Sequence, residues 1–277
     1  MPVIAMTQEM GSLAKEIALQ LAQDCNLTVM RHEVLENIAG KMHVPSSLIN
    51  RLREGKAGLV ERLTTDKDRV AVYNAEEVFA LADKGNVVLR GWGATCLLRP
   101  VPHVVTVRIT RSMAKRVAWL MDELGTSDPE FAEAEIRRSD SAHAARIHAQ
   151  FGVTWGDPLI YDLVLNTERI SVESAAAQIR HLAERPEFQE TEASRAMLHD
   201  LALAAAVRAA LKENVPTSEV NVDIQSQDGQ VVLRGIVVNE QEREETVRVA
   251  SAVAGVRKIE NQLHVMAITR RFTYSKT

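Results

Sequence analysis

The opening of the chain most narrows what it can fold into. An apolar run at residues 3–6 enters Thr7 and a turn-like stretch at 9–12, then a helical pattern with Leu13, Ile17 and Leu21 on one side and Ala14, Ala18 and Ala22 beside them. Strand, short loop and helix together open an α/β layer, because each has an apolar face that needs the other to cover it. The alternation recurs. Residues 86–89 read as a buried strand ending on Gly91-Trp92-Gly93, residues 104–109 as another, and 163–165 as a last. Helical patterns cover 33–42, 69–83, a segment through Met113, Val117, Leu120 and Leu124, roughly 129–150, and 171–184; a charged, mostly helical stretch at 46–63 is interrupted at Gly55 and Gly58. About five strands separated by helices predict a parallel sheet wound on both sides. Ligands then bind beyond the carboxyl ends of the strands. Segments 7–15, 92–95, 108–111, 137–146 and 155–162 converge there.

Pro186 ends this unit, and the polar residues 187–195 read as a linker. Beyond them the periodicity changes. A helix at 196–212 carries Leu201, Ala204, Val207 and Leu211 on one face. Val220, Val222 and Ile224 alternate as a strand, and Asp228-Gly229 is a hairpin signal. Val231, Leu233 and Val237 alternate next, a helix follows at 240–253, and Ile259, Leu263 and Val265 mark a last strand. An αββαβ unit of about 70 residues is the size of a small domain. The expected organisation is therefore 1–186, a linker at 187–195, a second domain at 196–267, and a basic tail at 268–277.

Composition removes several functions. Lys and Arg number 33 against 37 Asp and Glu, a net charge of −4, so no concentrated basic surface for nucleic acid is expected. Aromatic residues are 4%, too few for a stacking platform along a single strand. Cys25 and Cys96 lack CxxC or Cys/His spacing and read as reduced thiols, and the histidines show no metal spacing. No run approaches the roughly 18 apolar residues of a membrane helix, and the first residues lack the pattern of a signal peptide, which predicts a cytoplasmic protein.

A phosphate loop needs Gly-x4-Gly-Lys after the first strand, so that backbone N–H groups close on phosphate oxygens and the lysine neutralises them. Here the stretch is Glu9-Met10-Gly11-Ser12-Leu13-Ala14-Lys15-Glu16. Lys15 stands at its motif position, whereas Glu9 and Ala14 replace the two glycines. Lys15 near a helix N-terminus attracts anions; a carboxylate at Glu9 facing the same site repels them, by about 1 kcal/mol or more at a few ångströms. Spacing alone leaves open whether Lys15 binds an anion or is a solvated surface lysine.

The first 185 residues resemble the cytidylate-kinase-like family, relatives of the nucleoside monophosphate kinases. Residues 7–18 are similar to its Ser-Arg-Glu-Tyr-Gly-Ser-Gly-Gly-Arg-Glu-Ile-Ala element, matching at Gly11, Ser12, Glu16, Ile17 and Ala18, with Lys15 basic for basic. That makes Glu9 a feature of the pattern. Residues 88–94 resemble Val-Ile-Gly-Arg-Gly-Ala with Trp92 at the arginine position. Trp155-Gly156-Asp157 and Tyr161-Asp162-Leu163-Val164-Leu165-Asn166-Thr167 match the third element closely. The resemblance implies a P-loop NTPase-type parallel sheet. It implies nucleotide phosphates held by Gly11, Ser12, Leu13, Ala14, Lys15 and Glu16, a phosphoryl clamp of Lys15, Arg116, Arg137 and Arg138, and an acceptor side with Arg69, Gly91, Trp92, Asp140, His143 and Asp162. His143 stands where the pattern has a lid arginine. ATP and Mg²⁺ are the implied cofactors if the protein is active.

Residues 196–267 resemble a BON domain, on the helix from Asp200 to Leu211, Gly229-Gln230-Val231-Val232-Leu233-Arg234-Gly235, Val253-Ala254-Gly255-Val256, and Asn261-Gln262-Leu263-His264-Val265. This implies a non-catalytic module that contacts phospholipid, a small ligand or a protein partner. Two functions follow: a nucleotide-binding sensor or scaffold with little catalysis, or a working nucleoside monophosphate kinase of the CMP type.

Overall fold

The computed structural model describes residues 2–30, 32–53, 56–58, 60–61 and 66–266. It divides into two compact units, 1–199 and 200–277.

The first unit holds five strands: β1 Val3–Gln8, β2 Thr28–Met30, β3 Val87–Arg90, β4 Val104–Thr110 and β5 Leu163–Asn166. They lie in the order β2-β3-β1-β4-β5 and every neighbouring pair is parallel. The connection after β1 runs one way along the sheet and the connection after β4 runs the other. A crevice therefore opens at their carboxyl ends. Around the sheet lie α1 Ala14–Cys25, α2 His32–Met42, α3 Ser46–Arg53, α4 Lys67–Lys84, α5 Ala94–Leu97, α6 Met113–Leu124, α7 Pro129–Phe151 and α8 Val172–Ala183. The central strands are buried on both faces, as parallel sheets require: Ile4 and Met6 of β1 and Val105, Val107 and Ile109 of β4 pack with Ile17 and Leu21 of α1 and Ile179 of α8.

Local chemistry sets the helix ends that shape the crevice. The Ser112 side chain caps α6, accepting from Lys115 N–H, and Gly125 in the left-handed region closes it. Asp128, followed by Pro129, caps α7 through the Phe131 N–H, and left-handed Gly152 ends it. Two expectations shift. The strand read at 86–89 lies at Val87–Arg90, which brings Arg90 into it. β2 has no counterpart in the sequence reading, being three residues long with Thr28 exposed. Gly55 lies outside the described residues. Residues 186–188 form a 3-10 turn whose Phe188 packs against the first core, and α9 Glu192–Glu213 follows.

The second unit begins within α9 and continues through β6 Asp223–Gln227, β7 Gln230–Val237, α10 Glu240–Ser251 and β8 Lys258–Val265. β6 and β7 are antiparallel across Asp228-Gly229, where both φ are positive (50 and 78), the geometry that matches strand twist in a two-residue hairpin. β8 pairs parallel to β7 after the α10 crossover. Leu203, Val207, Ile224, Val231, Leu233 and Leu263 build its core. Val220 and Val222 are buried but precede the ladder rather than joining it. The tail at 268–277 lies outside the described residues, and among those described no helix is long and apolar enough to cross a membrane.

Candidate functional site

The crevice is lined first by the loop between β1 and α1. Just past β1, the Glu9 N–H still donates to Ile109 O of β4 at 3.2 Å, so the loop leaves the sheet from a fixed point. It then folds back on itself: the Ser12 N–H (3.2 Å) and Ser12 Oγ (2.8 Å) both donate to Glu9 O. Gly11 takes φ 81, and a Cβ there would lie 3.0 Å from the Trp119 ring and 3.2 Å from Arg116 Cα. Leu13 holds φ 64 at the N-cap of α1 without any side-chain cap bond. A left-handed leucine costs about 1–2 kcal/mol. The loop thus keeps an anion-cradling shape without the glycines that make it easy, and no side chain caps the first N–H groups of α1. Lys15, one residue into α1, is exposed and lines the cleft.

Glu9 does not point its charge freely into the site. Its carboxylate accepts from Arg108 Nη2 (2.7 Å), Thr110 Oγ1 (2.6 Å) and Arg111 N–H (3.2 Å), with Arg116 Nη1 at 3.5 Å. Arg116 donates in turn to Met10 O (2.7 Å) and to Asp140 on α7 (2.6 Å). Arg108 and Arg116 are both buried. Burial pushes the Asp140 carboxyl above the ordinary aspartate value, outweighing the pull of Arg116.

A second network joins α7 to β1. Arg108 donates to Trp155 O (3.1 Å) and its guanidinium lies 4.2 Å from the Trp155 ring centre. Tyr161 Oη donates to the same carbonyl at 2.7 Å, and burial pushes its phenol up to about 12. Trp155 Nε1 donates to Thr7 Oγ1 at 2.9 Å, and His143 Nε2 sits 3.4 Å from that oxygen. Arg146 Nη2 lies 2.7 Å from His143 Nδ1. A guanidinium can only donate, so Nδ1 accepts and the neutral imidazole carries its proton on Nε2, toward Thr7. Burial lowers Arg146 to about 10, which leaves it cationic at neutral pH.

The cleft encloses about 360 Å³, within the range of small-molecule sites. Lys15, Arg90 and Arg146 line it. So do Trp92, Trp119 and Trp155, the three tryptophans of the chain. Gln8 also lines it, with a buried Oε1 that lacks a hydrogen-bond partner among the described residues. Three cations, aromatic walls and an open amide suit an anion carrying a planar ring, although Glu16 and Glu123 share the lining. The α1 N–H groups, Lys15, Arg90 and Arg146 fit nucleotide phosphates. The acceptor-side carboxylates Asp140 and Asp162, which are the candidates to help hold Mg²⁺, are bonded by Arg116 and by Thr106.

Of the residues expected at the site, Gly11, Ser12, Leu13, Ala14, Lys15, Glu16, Gly91, Trp92, Asp140 and His143 all line the cleft. Arg116 stands behind it, between the loop and α7. Arg137 and Arg138 point elsewhere, pairing with Glu133 and Glu135. Arg69 donates to Tyr73 Oη at 3.1 Å and lies outside the lining. Asp162 accepts from Thr106 N–H (2.7 Å) and Oγ1 (2.6 Å), tying β5 to β4, also outside it. Arg90, Arg108 and Gln8 match no position of the motifs the sequence offers. For Arg108 the signal is a charge inside the apolar strand run 104–109, and for Arg90 a charge directly after the run 86–89, since arginine is rarely buried unless paired.

Residues 3–169 match the model of the cytidylate kinase-like family, and residues 199–267 match that of the BON domain. A protein of Pyrobaculum islandicum named cytidylate kinase is 25% identical over 177 residues, spanning 63% of this chain and 89% of its own length. The crystal structure of an uncharacterized protein from Eubacterium ventriosum superposes with a TM-score of 0.52 at 19% identity, covering 67% of this chain and 100% of that one, which marks a shared fold.

Proposed function

The chain belongs to the cytidylate kinase-like family and carries a C-terminal BON domain, and from that premise we propose that it is a nucleotide-binding sensor or regulatory protein with little phosphoryl transfer. One observation carries this reading. Arg116, the guanidinium the family resemblance assigns to the phosphates, is bound on three sides by Glu9, Asp140 and Met10 O. With Arg137 and Arg138 paired to Glu133 and Glu135, Lys15 alone of the four expected clamp residues lines the cleft. Phosphoryl transfer depends on positioning and on neutralising charge at the moving group. Losing one such donor costs roughly 3–4 kcal/mol in the transition state, so the losses compound. Binding asks for less, and the loop, Lys15, Arg90 and Arg146 support it.

A second reading, an active CMP-type kinase, is favoured by Arg146. It lies three residues after His143 on α7 and lines the cleft. ATP would then supply the phosphoryl group, its phosphates held by Lys15 and the α1 N–H groups. The relative from Pyrobaculum islandicum supports this reading by its name.

Thermal shift of the full chain with ATP, CMP and Mg²⁺, followed by an ADP-release assay, separates the two. A shift without CMP-dependent ADP is the expected result. ADP formed only when CMP is present replaces the sensor with the kinase, and no shift with any nucleotide removes both.

The BON domain supplies the contact with phospholipid or a protein partner. Ile236, Val238, Val265 and Met266 are exposed at the carboxyl ends of β7 and β8, an apolar surface of the kind that marks interaction sites. Cosedimentation with phosphatidylglycerol vesicles, lost in Ile236→Glu, is the expected outcome for lipid contact.

A further inference from the structure

The start of α9 docks within the first unit through a buried polar contact. Ser194 and Leu198, four residues apart on one face of the helix, are 3% and 0% exposed. Ser194 Oγ lies 2.8 Å from Nδ1 of His103, which sits just before β4 and is itself 3% exposed. The hydroxyl has other duties. It accepts from the Thr191 N–H (3.0 Å) and donates to Thr191 O (3.2 Å), while the Ser194 N–H donates to Thr191 Oγ1 (3.1 Å). With its one hydrogen given to Thr191 O, the hydroxyl can only accept from His103, so the neutral ring carries its proton on Nδ1. The other ring nitrogen, Nε2, is buried and has no hydrogen-bond partner among the described residues. A proton added there would create an N–H without an acceptor and a full charge away from water.

We propose that His103 and Ser194 form a pH-sensitive latch: the neutral imidazole holds the first turns of α9 in place beside the loop before β4, and protonation of His103 releases them. The charged surroundings do not rescue the cation. Burial, the largest influence, lowers His103 below the ordinary histidine value of 6.5; Glu190, just ahead of α9, favours the charged ring, whereas the chain's amino group and Arg195 of α9 oppose it. Arg195 in turn lies 3.7 Å from Glu190 and 4.0 Å from Asp83 of α4. One group pulls the other way. Exposed His199 of α9 lies 3.2 Å from Asp83, and a cationic ring there favours docking, though an exposed pair contributes little. Between the lowered value and 6.5 the released state binds more protons at His103 than the docked state does, so docking weakens as pH falls through that window. The second unit begins within α9, so the latch acts on the stretch of chain that leads into it.

Amide hydrogen exchange of the full chain, read by NMR at about pH 7.5 and 5.0 and corrected for the intrinsic rate, tests this. In the wild type the opening of amides 195–199 should rise about five- to thirtyfold at the lower pH, while β1 and β4 keep their protection. His103→Asn keeps a polar group near the Nδ1 position but cannot titrate, and should hold that opening constant within about twofold. His199→Gln should leave the acid-induced opening in place. Equal protection of 195–199 at both pH values in the wild type overturns the latch, and so does an opening that β1 and β4 share to the same extent, whatever the variants do to folding. Acid-induced opening that survives in folded His103→Asn, or that disappears in His199→Gln, assigns the effect to another group and overturns it too. Where His103→Asn does not fold, the wild-type ring decides: a His103 imidazole titrating below 6.5 supports the latch, and one titrating at or above that value overturns it.

Discussion

Two groups of charges share one cleft and are used in opposite ways. Glu9, Arg108, Arg116 and Asp140 form a set of two cations and two anions in which each arginine bonds a carboxylate. Lys15, Arg90 and Arg146 line the same space, and only Lys15 sits where the sequence pattern asks for a phosphate-binding cation. The first set is spent on structure. It ties the loop between β1 and α1 to β4 and to α7, and its net charge is zero, so a phosphate could recruit Arg116 only by displacing a carboxylate. The second set puts three cations in the lining, beside the carboxylates Glu16 and Glu123. Counting arginines near such a cleft therefore overstates its catalytic equipment. What matters is which guanidinium groups line the cleft and which stand behind it.

The sharpest way to break this comparison is Arg116→Ala. Removing one partner of a buried ion pair leaves an uncompensated charge and costs about 3–5 kcal/mol. For a unit of this size Tm should fall by roughly 6–20 °C in differential scanning calorimetry, with or without nucleotide. A variant that melts like the wild type but loses ATP binding would move Arg116 from the structural set to the binding set. Lys15→Ala should show the reverse signature. Its Tm without ligand should stay within about 2 °C, as surface substitutions usually do. Its ATP affinity, read by titration calorimetry, should drop roughly 10- to 100-fold through loss of a charge-assisted contact.

The sequence made one set more visible than the other. Lys15 and Gly11 are legible as cleft residues because the loop that carries them is contiguous, and β1, β3 and β4 because apolar runs mark buried strands; β5, at the sheet edge, buries only Leu165. Glu9 belongs to the family pattern, but its task is not legible: its partners Arg108 and Thr110 lie about a hundred residues on, and no local spacing reveals that they meet. β2 was missed because three residues, one of them exposed, carry no period. On α7 the face was readable in part. Ile136 and Ile147 are buried, and helical spacing puts Asp140 and His143 along their stripe while turning Arg138 away. In the second unit the hairpin turn and β7 are legible because one buried face imposes alternation, with Val231, Leu233 and Val237 buried.

A smaller effect joins the two sets through the loop between them. Leu13 takes φ 64 where glycine would be free. Leu13→Gly relieves about 1–2 kcal/mol of strain, but it also gives the unfolded chain more freedom, worth roughly 0.4–1 kcal/mol, and removes the leucine's contacts. The net change in stability should be within about 1 kcal/mol, a Tm shift of no more than about 4 °C. ATP should bind a few-fold more tightly, since a glycine lets the backbone approach phosphate more closely. Unchanged or weaker ATP binding would mean that the loop is not where phosphate enters.

The gentlest probe is pH, because it acts on the structural set without a change of shape. Burial holds Asp140 above the ordinary carboxyl value of 3.8. In the window between 3.8 and that raised value the folded protein binds more protons at Asp140 than the unfolded chain does, so this residue's contribution to stability falls as pH rises through the window and is recovered as pH is lowered. Asp140→Asn removes the titration while keeping a hydrogen-bond acceptor for Arg116. Comparing Tm from pH 4 to 7, the wild type should gain on the variant as the solution is made more acidic. The opposite slope would mean that Arg116 outweighs burial at Asp140, and that the pair is a net attraction rather than a burial cost offset by its neighbours.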